Sequence, residues 1–357
     1  METQGFDINS TNACKGLALI LLLWHHLFYS HPEYGIATCK MGILAKVCVA
    51  IFVILSGYGF SESIRNKSIG LLEFYKNRLL VIYSNYWFIA LIFVPIGVFF
   101  MNRTFQDAFN GHVYLKFLIQ LTGLHRFFFS EYGYNATWWY LSVIVPLIIL
   151  FPFMYDLIDK YGYLFLVFCC FILINHKFVV FPVINVWLFP FALGIYCSQR
   201  NILPVLSGIL RKIGGWRFVV LIVAISLTAL LRPDNEVRLD GVFGGLIILF
   251  VFEVSNAIAI LKNLLNFLGK HLFNVFLFHT FVYYYFWKDF FYSFKSPLII
   301  FFILLSSCIL LSMLIEQIKK ISCFYKLIDY IKSLEIPSEI EIPFRQGSFS
   351  SVCRSNI

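Results

Sequence analysis

The chain reads as a series of long apolar runs separated by short polar stretches. Ten runs are drawn as spanning segments, at 15–30, 42–63, 79–100, 138–156, 161–175, 179–198, 216–232, 241–261, 268–287 and 297–317. A helix needs about 20 apolar residues to cross a bilayer. The runs are apolar on every face instead of alternating, which predicts helices rather than the strands of a barrel. The stretch 112–124, HVYLKFLIQLTGL, is shorter and is expected to lie at the interface or to re-enter. No fixed period repeats, and no Gly/Ser linker marks a second domain. After Glu316 the chain turns mixed and charged. The expected fold is therefore all-α: a polytopic membrane domain over 1–317 with about ten transmembrane helices, then a cytoplasmic tail over 318–357.

Composition agrees. Of 357 residues, 60% are hydrophobic and only 13% charged, against roughly 25% charged in soluble domains. Lipid is the expected partner along most of the chain. The opening METQGFDINS lacks the basic residues that begin a secretory leader, so the first run is expected to be kept. Nine cysteines are scattered, mostly in apolar runs, with no C-x-x-C pair, and no disulfide framework or metal site is expected. The net charge of +9 comes with no basic run interleaved with aromatics outside the spans, so it points to topology and not to nucleic acid. Placing the N-terminus inside puts 18 of the 28 Lys and Arg on the cytoplasmic side, which predicts both termini there.

Ionisable residues inside apolar spans are costly, and they are the candidates for chemistry. The first run, KGLALILLLWHHLFYS, holds Lys15, His25 and His26. Lys15 and His26 are eleven apart, which leaves about 20° between them on a helix and about 16 Å along its axis. Lys15 is expected at the cytoplasmic edge and His26 near mid-bilayer, with His25 turned about 100° away. A cation at the rim suits a phosphate, and a buried imidazole suits proton transfer. The plainer alternative is a snorkelling lysine and an interhelical hydrogen bond from His26. In IFVILSGYGFSESI, Ser56, Gly57 and Gly59 form a small-residue patch, either for close helix packing or for the approach of a ligand to the backbone. In FYKNRLLVIYSNYW, Lys76 and Arg78 are either positive-inside anchors or contacts for an anionic cosubstrate. Glu253 and His279 each lie deep in an apolar run, and a Glu–His pair across helices is one way to satisfy both. Asn135-Ala136-Thr137 matches the glycosylation acceptor pattern but directly precedes a span and is discounted.

Together these stretches resemble the acyltransferase-3 family of integral membrane acyltransferases, which modify cell-surface polysaccharides. KGLALILLLWHH resembles that family's first helix, where Arg or Lys, ten residues and His form the signature, and His26 takes the histidine position. FVILSGYGFS resembles its small-residue second segment. FYKNRLLVIYSNYW resembles the basic start of its third helix, with Arg78 in place, Val81 where a second basic residue is common and Ser84 where Pro is common. WWYLSVIVPLIILFP and FLGKHLFNVFLFHT resemble two later segments. His279 falls at the family's late histidine, and His271 stands where Ser or Thr is usual. The resemblance implies O-acyl transfer, typically O-acetylation, in the plasma (inner) membrane. The donor would be acyl-CoA, most often acetyl-CoA, and the acceptor a sugar or polysaccharide hydroxyl. His26 would be catalytic and Lys15, Lys76 and Arg78 would hold the donor's phosphates. A transporter or flippase for a glycan or small anionic solute is the competing expectation, since intramembrane Glu and His also suit a proton-coupled carrier.

Overall fold

The computed structural model describes residues 5–65, 70–174, 182–232, 237–334 and 336, and every regular element among them is helical. In chain order these are α1 (Ile8–Phe28), α2 (Ile36–Ala45), α3 (Cys48–Ile64), α4 (Leu71–Phe100), α5 (Val113–Leu121), α6 (His125–Phe128), α7 (Leu141–Tyr161), α8 (Tyr163–Ile174), α9 (Pro182–Gln199), α10 (Ile202–Arg211), α11 (Trp216–Leu231), α12 (Asp240–Ala257), α13 (Ala259–Thr280), α14 (Lys288–Tyr292), α15 (Pro297–Ile321) and α16 (Phe324–Ser333). A 3₁₀ turn, Ala136–Tyr140, leads into α7, and a π-helical segment, Phe281–Phe286, extends α13.

Five helical stretches among the described residues are long and apolar enough to cross a membrane: Ile36–Ile64, Leu71–Phe100, Ala136–Tyr161, Asp240–Ala257 and Pro297–Ile321. The chain is a membrane protein. Tyr163–Ile174, Val183–Gln199, Ile202–Arg211 and Trp216–Leu231 are apolar but shorter. Both α1 and α13, at 21 and 22 residues, have the length, and their polar side chains keep them out of the apolar set. Those two helices lie inside the bundle, paired along their length.

Several expected boundaries move. The first helix starts at Ile8, not Lys15, because Asp7 caps it: its carboxylate accepts from the Ser10 backbone N–H at 2.7 Å. Lys15 is thus two turns inside α1, and His26 lies in its last turn. The 268–287 run begins nine residues early, at Ala259, since no Gly or Pro interrupts 259–268. The 112–124 stretch forms α5, only 9 residues long, with Tyr114, Leu115 and Leu118 exposed and Gln120 buried. The tail contributes α16, and the rest of it, 337–357, lies outside the described residues.

Candidate active site

Small residues set the site. α1 and α13 run parallel, and a Cβ on Gly16 would strike the Leu265 carbonyl, while one on Gly269 would strike the carbonyl of Asn12. Only glycine permits that approach. From this crossing, His26 lies ten residues along α1 and His279 ten residues along α13, both about 15 Å further by helical rise. The two imidazoles therefore meet, with ring centroids 4.9 Å apart.

Their hydrogen bonding differs. His279 is fully buried, and its Nδ1 donates to the Val275 carbonyl at 2.9 Å, so its neutral ring keeps a lone pair on Nε2. That Nε2 is buried without a partner. His26 is only half-buried, and its ring makes no hydrogen bond among the described residues. His25 is occupied: Nδ1 bonds the Gly42 carbonyl at 2.8 Å and the ring stacks on Tyr29 at 4.8 Å. The last carbonyls of α1 are satisfied by phenols, His26 by Tyr283 at 3.1 Å and Leu27 by Tyr292 at 3.0 Å.

The end of α13 is pinned by residues that the sequence did not single out for this role. Asn135 Oδ1 accepts from the Thr137 backbone N–H at 2.9 Å, the Thr137 hydroxyl at 2.7 Å and the Thr280 hydroxyl at 2.9 Å. Thr280 is the neighbour of His279. The Trp138 indole donates to the Leu277 carbonyl at 2.9 Å and the Thr137 hydroxyl also reaches the Phe276 carbonyl at 3.2 Å. The π segment begins immediately afterwards; π turns inside helices concentrate at functional positions. Phe93 of α4 stacks on Phe278 and Phe281 at 5.4 and 5.1 Å, closing the flank. Asn135 is fully buried, as its discounting as a glycosylation site requires. The usable signal was a polar N-x-T directly before a span, with a threonine beside the late histidine.

The other candidates separate. Lys15 is half-buried on the His26 face of α1, with Leu19 and Leu22 fully buried between them. No carboxylate pairs with it among the described residues. Arg78 is half-buried, its guanidinium over the Phe60 and Phe74 rings at 5.0 and 5.8 Å, with no ion pair among the described residues. Lys76 is engaged elsewhere: its ammonium donates to the Lys332 and Leu334 carbonyls at 2.8 and 2.6 Å, capping α16. Ser56 donates to the Phe52 carbonyl within its own helix at 2.8 Å. A Cβ on Gly57 would strike the Phe191 carbonyl of α9, so the glycine there permits close packing of α3 on α9.

Glu253 does not pair with His279. The fully buried carboxylate takes the Ser207 hydroxyl, with Arg217 Nε 2.9 Å and Arg211 Nε 3.7 Å away as ion pairs outside hydrogen-bond geometry. The arginines are nearer because α10 and α11 bring the RKIGGWR loop against α12. No cluster of three His, Cys, Asp or Glu suited to a metal occurs among the described residues.

One comparison decides the family. The acyltransferase domain of the acyltransferase-3 family matches residues 8–317, from the start of α1 almost to the end of α15. The chain belongs to the acyltransferase-3 family. No curated protein and no solved structure matches it. In this acyltransferase-3 protein the half-buried His26 and the buried lone pair of His279 stand side by side.

Proposed function

We propose that this acyltransferase is an O-acetyltransferase of the plasma (inner) membrane. It moves an acetyl group from acetyl-CoA to a hydroxyl of a surface polysaccharide or its lipid-linked precursor. The observation that carries the reading is the His26–His279 contact, in which the half-buried ring has no hydrogen bond and its neighbour offers Nε2.

A sugar hydroxyl is a weak nucleophile near neutral pH. His26 takes its proton as the oxygen attacks the thioester carbonyl, forming the C–O bond. The C–S bond then breaks, and the imidazolium returns the proton to the departing thiolate. Such general base catalysis contributes on the order of 10²- to 10⁴-fold. His279 Nε2 accepts a hydrogen bond from His26 while that ring carries the proton, a charge-assisted bond available only in the charged state. Arg78 and Lys15 are the cations suited to the donor's phosphates, because neither has a carboxylate partner among the described residues. Lys76, bound to the end of α16, supports the helix that covers this region of α4. In this reading the chain spans the membrane ten times with both termini in the cytoplasm, where the donor is.

A proton-coupled carrier drew its support from Glu253 and His279 acting together, and Glu253 is instead held by two arginines and Ser207. The test is mass spectrometry of surface polysaccharide from cells carrying His26→Ala. O-acetyl content is expected to fall to background while His25→Ala retains most of it. Unchanged acetylation with His26→Ala present in the membrane would refute the assignment.

A further inference from the structure

The last turn of α1 is surrounded by phenols. Tyr29 stacks on His25. Tyr283 bonds the His26 carbonyl, and its ring lies nearly parallel to that of His279, with centroids 6.2 Å apart. The Tyr284 ring lies 6.1 Å from that of Tyr283. Tyr292 bonds the Leu27 carbonyl and packs on His31 at 4.7 Å, and Tyr34 donates to the Tyr292 carbonyl at 3.2 Å.

Tyrosine also gathers at membrane–water boundaries without further purpose. Three observations set this group apart. Two of its phenols hold the carbonyls of the helix that carries His26. Two of its rings lie against the histidines themselves. Tyr29 and Tyr284 are 44% and 48% exposed, and their hydroxyls make no hydrogen bond among the described residues. At the rim Glu33 is held by His31 at 2.6 Å, and Lys288 lies over one face of Tyr284 at 5.5 Å. Among the phenols themselves a charged ligand has no ion-pair complement. A neutral ring bearing C–H faces and several hydroxyls is matched, since phenols combine a flat apolar face with a hydroxyl that donates and accepts.

We infer that Tyr29, Tyr283, Tyr284 and Tyr292 form the subsite that seats a neutral sugar unit of the acceptor beside His26. Tyr29 and Tyr284 take the sugar's C–H faces and present free hydroxyls to it. Tyr283 and Tyr292 fix the geometry between this collar and the last turn of α1. The inference rests on His26 being the base of the transfer, and it adds where the acceptor binds.

The test measures acceptor saturation with the purified full-length protein in detergent. The donor is acetyl-CoA, and the acceptor probe is the oligosaccharide mixture released by mild acid from the surface glycan of the producing cells. Mass spectrometry reads O-acetyl incorporation. Tyr284→Ala and Tyr29→Ala are each expected to raise the acceptor KM about tenfold, the size of one lost ring contact, with a smaller effect on the donor KM. Tyr284→Phe is expected to recover most of the loss. Trp87→Ala, which removes an exposed tryptophan at the middle of α4, should leave the acceptor KM unchanged. An acceptor KM unaltered in both alanine variants, or raised equally by Trp87→Ala, overturns the subsite while leaving the His26 reading intact. Absence of any transfer by the wild-type protein to these oligosaccharides overturns both.

Discussion

Two groups of polar side chains sit on α13, and the bundle treats them oppositely. Toward α15, Lys319 is 1% exposed, yet its ammonium is fully used, donating to Asn85 at 2.6 Å, Asn274 at 2.8 Å and Glu316 at 2.8 Å. Asn274 donates to Glu316 at 2.7 Å and to Ser312 at 3.2 Å, His271 reaches Ser312 at 2.9 Å, and Tyr325 bonds the other Glu316 oxygen. Toward α1, His279 leaves Nε2 buried and unpaired and His26 has no ring hydrogen bond. A buried polar atom without a partner costs about 1–3 kcal/mol. The first group uses its polar atoms to join α4, α13, α15 and α16. The second keeps an unsatisfied atom beside the half-buried His26. On the proposed reading, the saturated group is structural and the open valence beside His26 is chemical.

The contrast is open to attack from both sides. Lys319→Ala removes one partner of a buried charge network and leaves Glu316 and two amides unmatched. The expected loss is about 3–5 kcal/mol of stability, read as a large fall in melting temperature in detergent. Transfer activity should fall only with the folded fraction. A variant that melts like wild type but transfers nothing would move this group from structure to function.

The same contrast recurs among the cations of α4 and predicts smaller effects. Among the described residues Arg78 has ring contacts and no ion pair, whereas Lys76 is spent on the end of α16. Arg78→Ala is expected to raise the donor KM by roughly 10- to 100-fold, as loss of a charge-assisted bond of about 1.5–3 kcal/mol implies. Lys76→Ala should alter the donor KM less and lower the melting temperature by an amount worth about 1 kcal/mol. Equal donor effects from the two would mean that α16 yields Lys76 to the donor.

Much of the fold was legible because apolar length is a local property. The runs 79–100 and 297–317 emerge within single helices, Leu71–Phe100 and Pro297–Ile321, the first of which starts eight residues before its apolar run. The start of α1 was missed because a capping aspartate, Asp7, lies outside the apolar run that the eye follows. Lys15 and His26 were found from spacing along one helix. That His26 meets His279 was not visible, since it depends on Gly16 and Gly269 bringing two distant segments to one level. Glu253 was visible as costly, but its partners Arg211 and Arg217 lie some forty residues away in sequence, and only the packing of α10 and α11 on α12 reveals them. Glu316 and Lys319 looked like the boundary between span and tail because hydropathy averages over a window and hides a buried pair at a helix end.

The account's central claim is that His26 and His279 act as one unit, and a double-mutant cycle tests it most directly. The turnover number for O-acetyl transfer is measured for wild type, His26→Ala, His279→Ala and the double variant at saturating donor and acceptor. If His279 works only through the protonated His26, the double variant turns over at the rate of His26→Ala alone. If the two losses multiply, the histidines act independently and the paired site is contradicted.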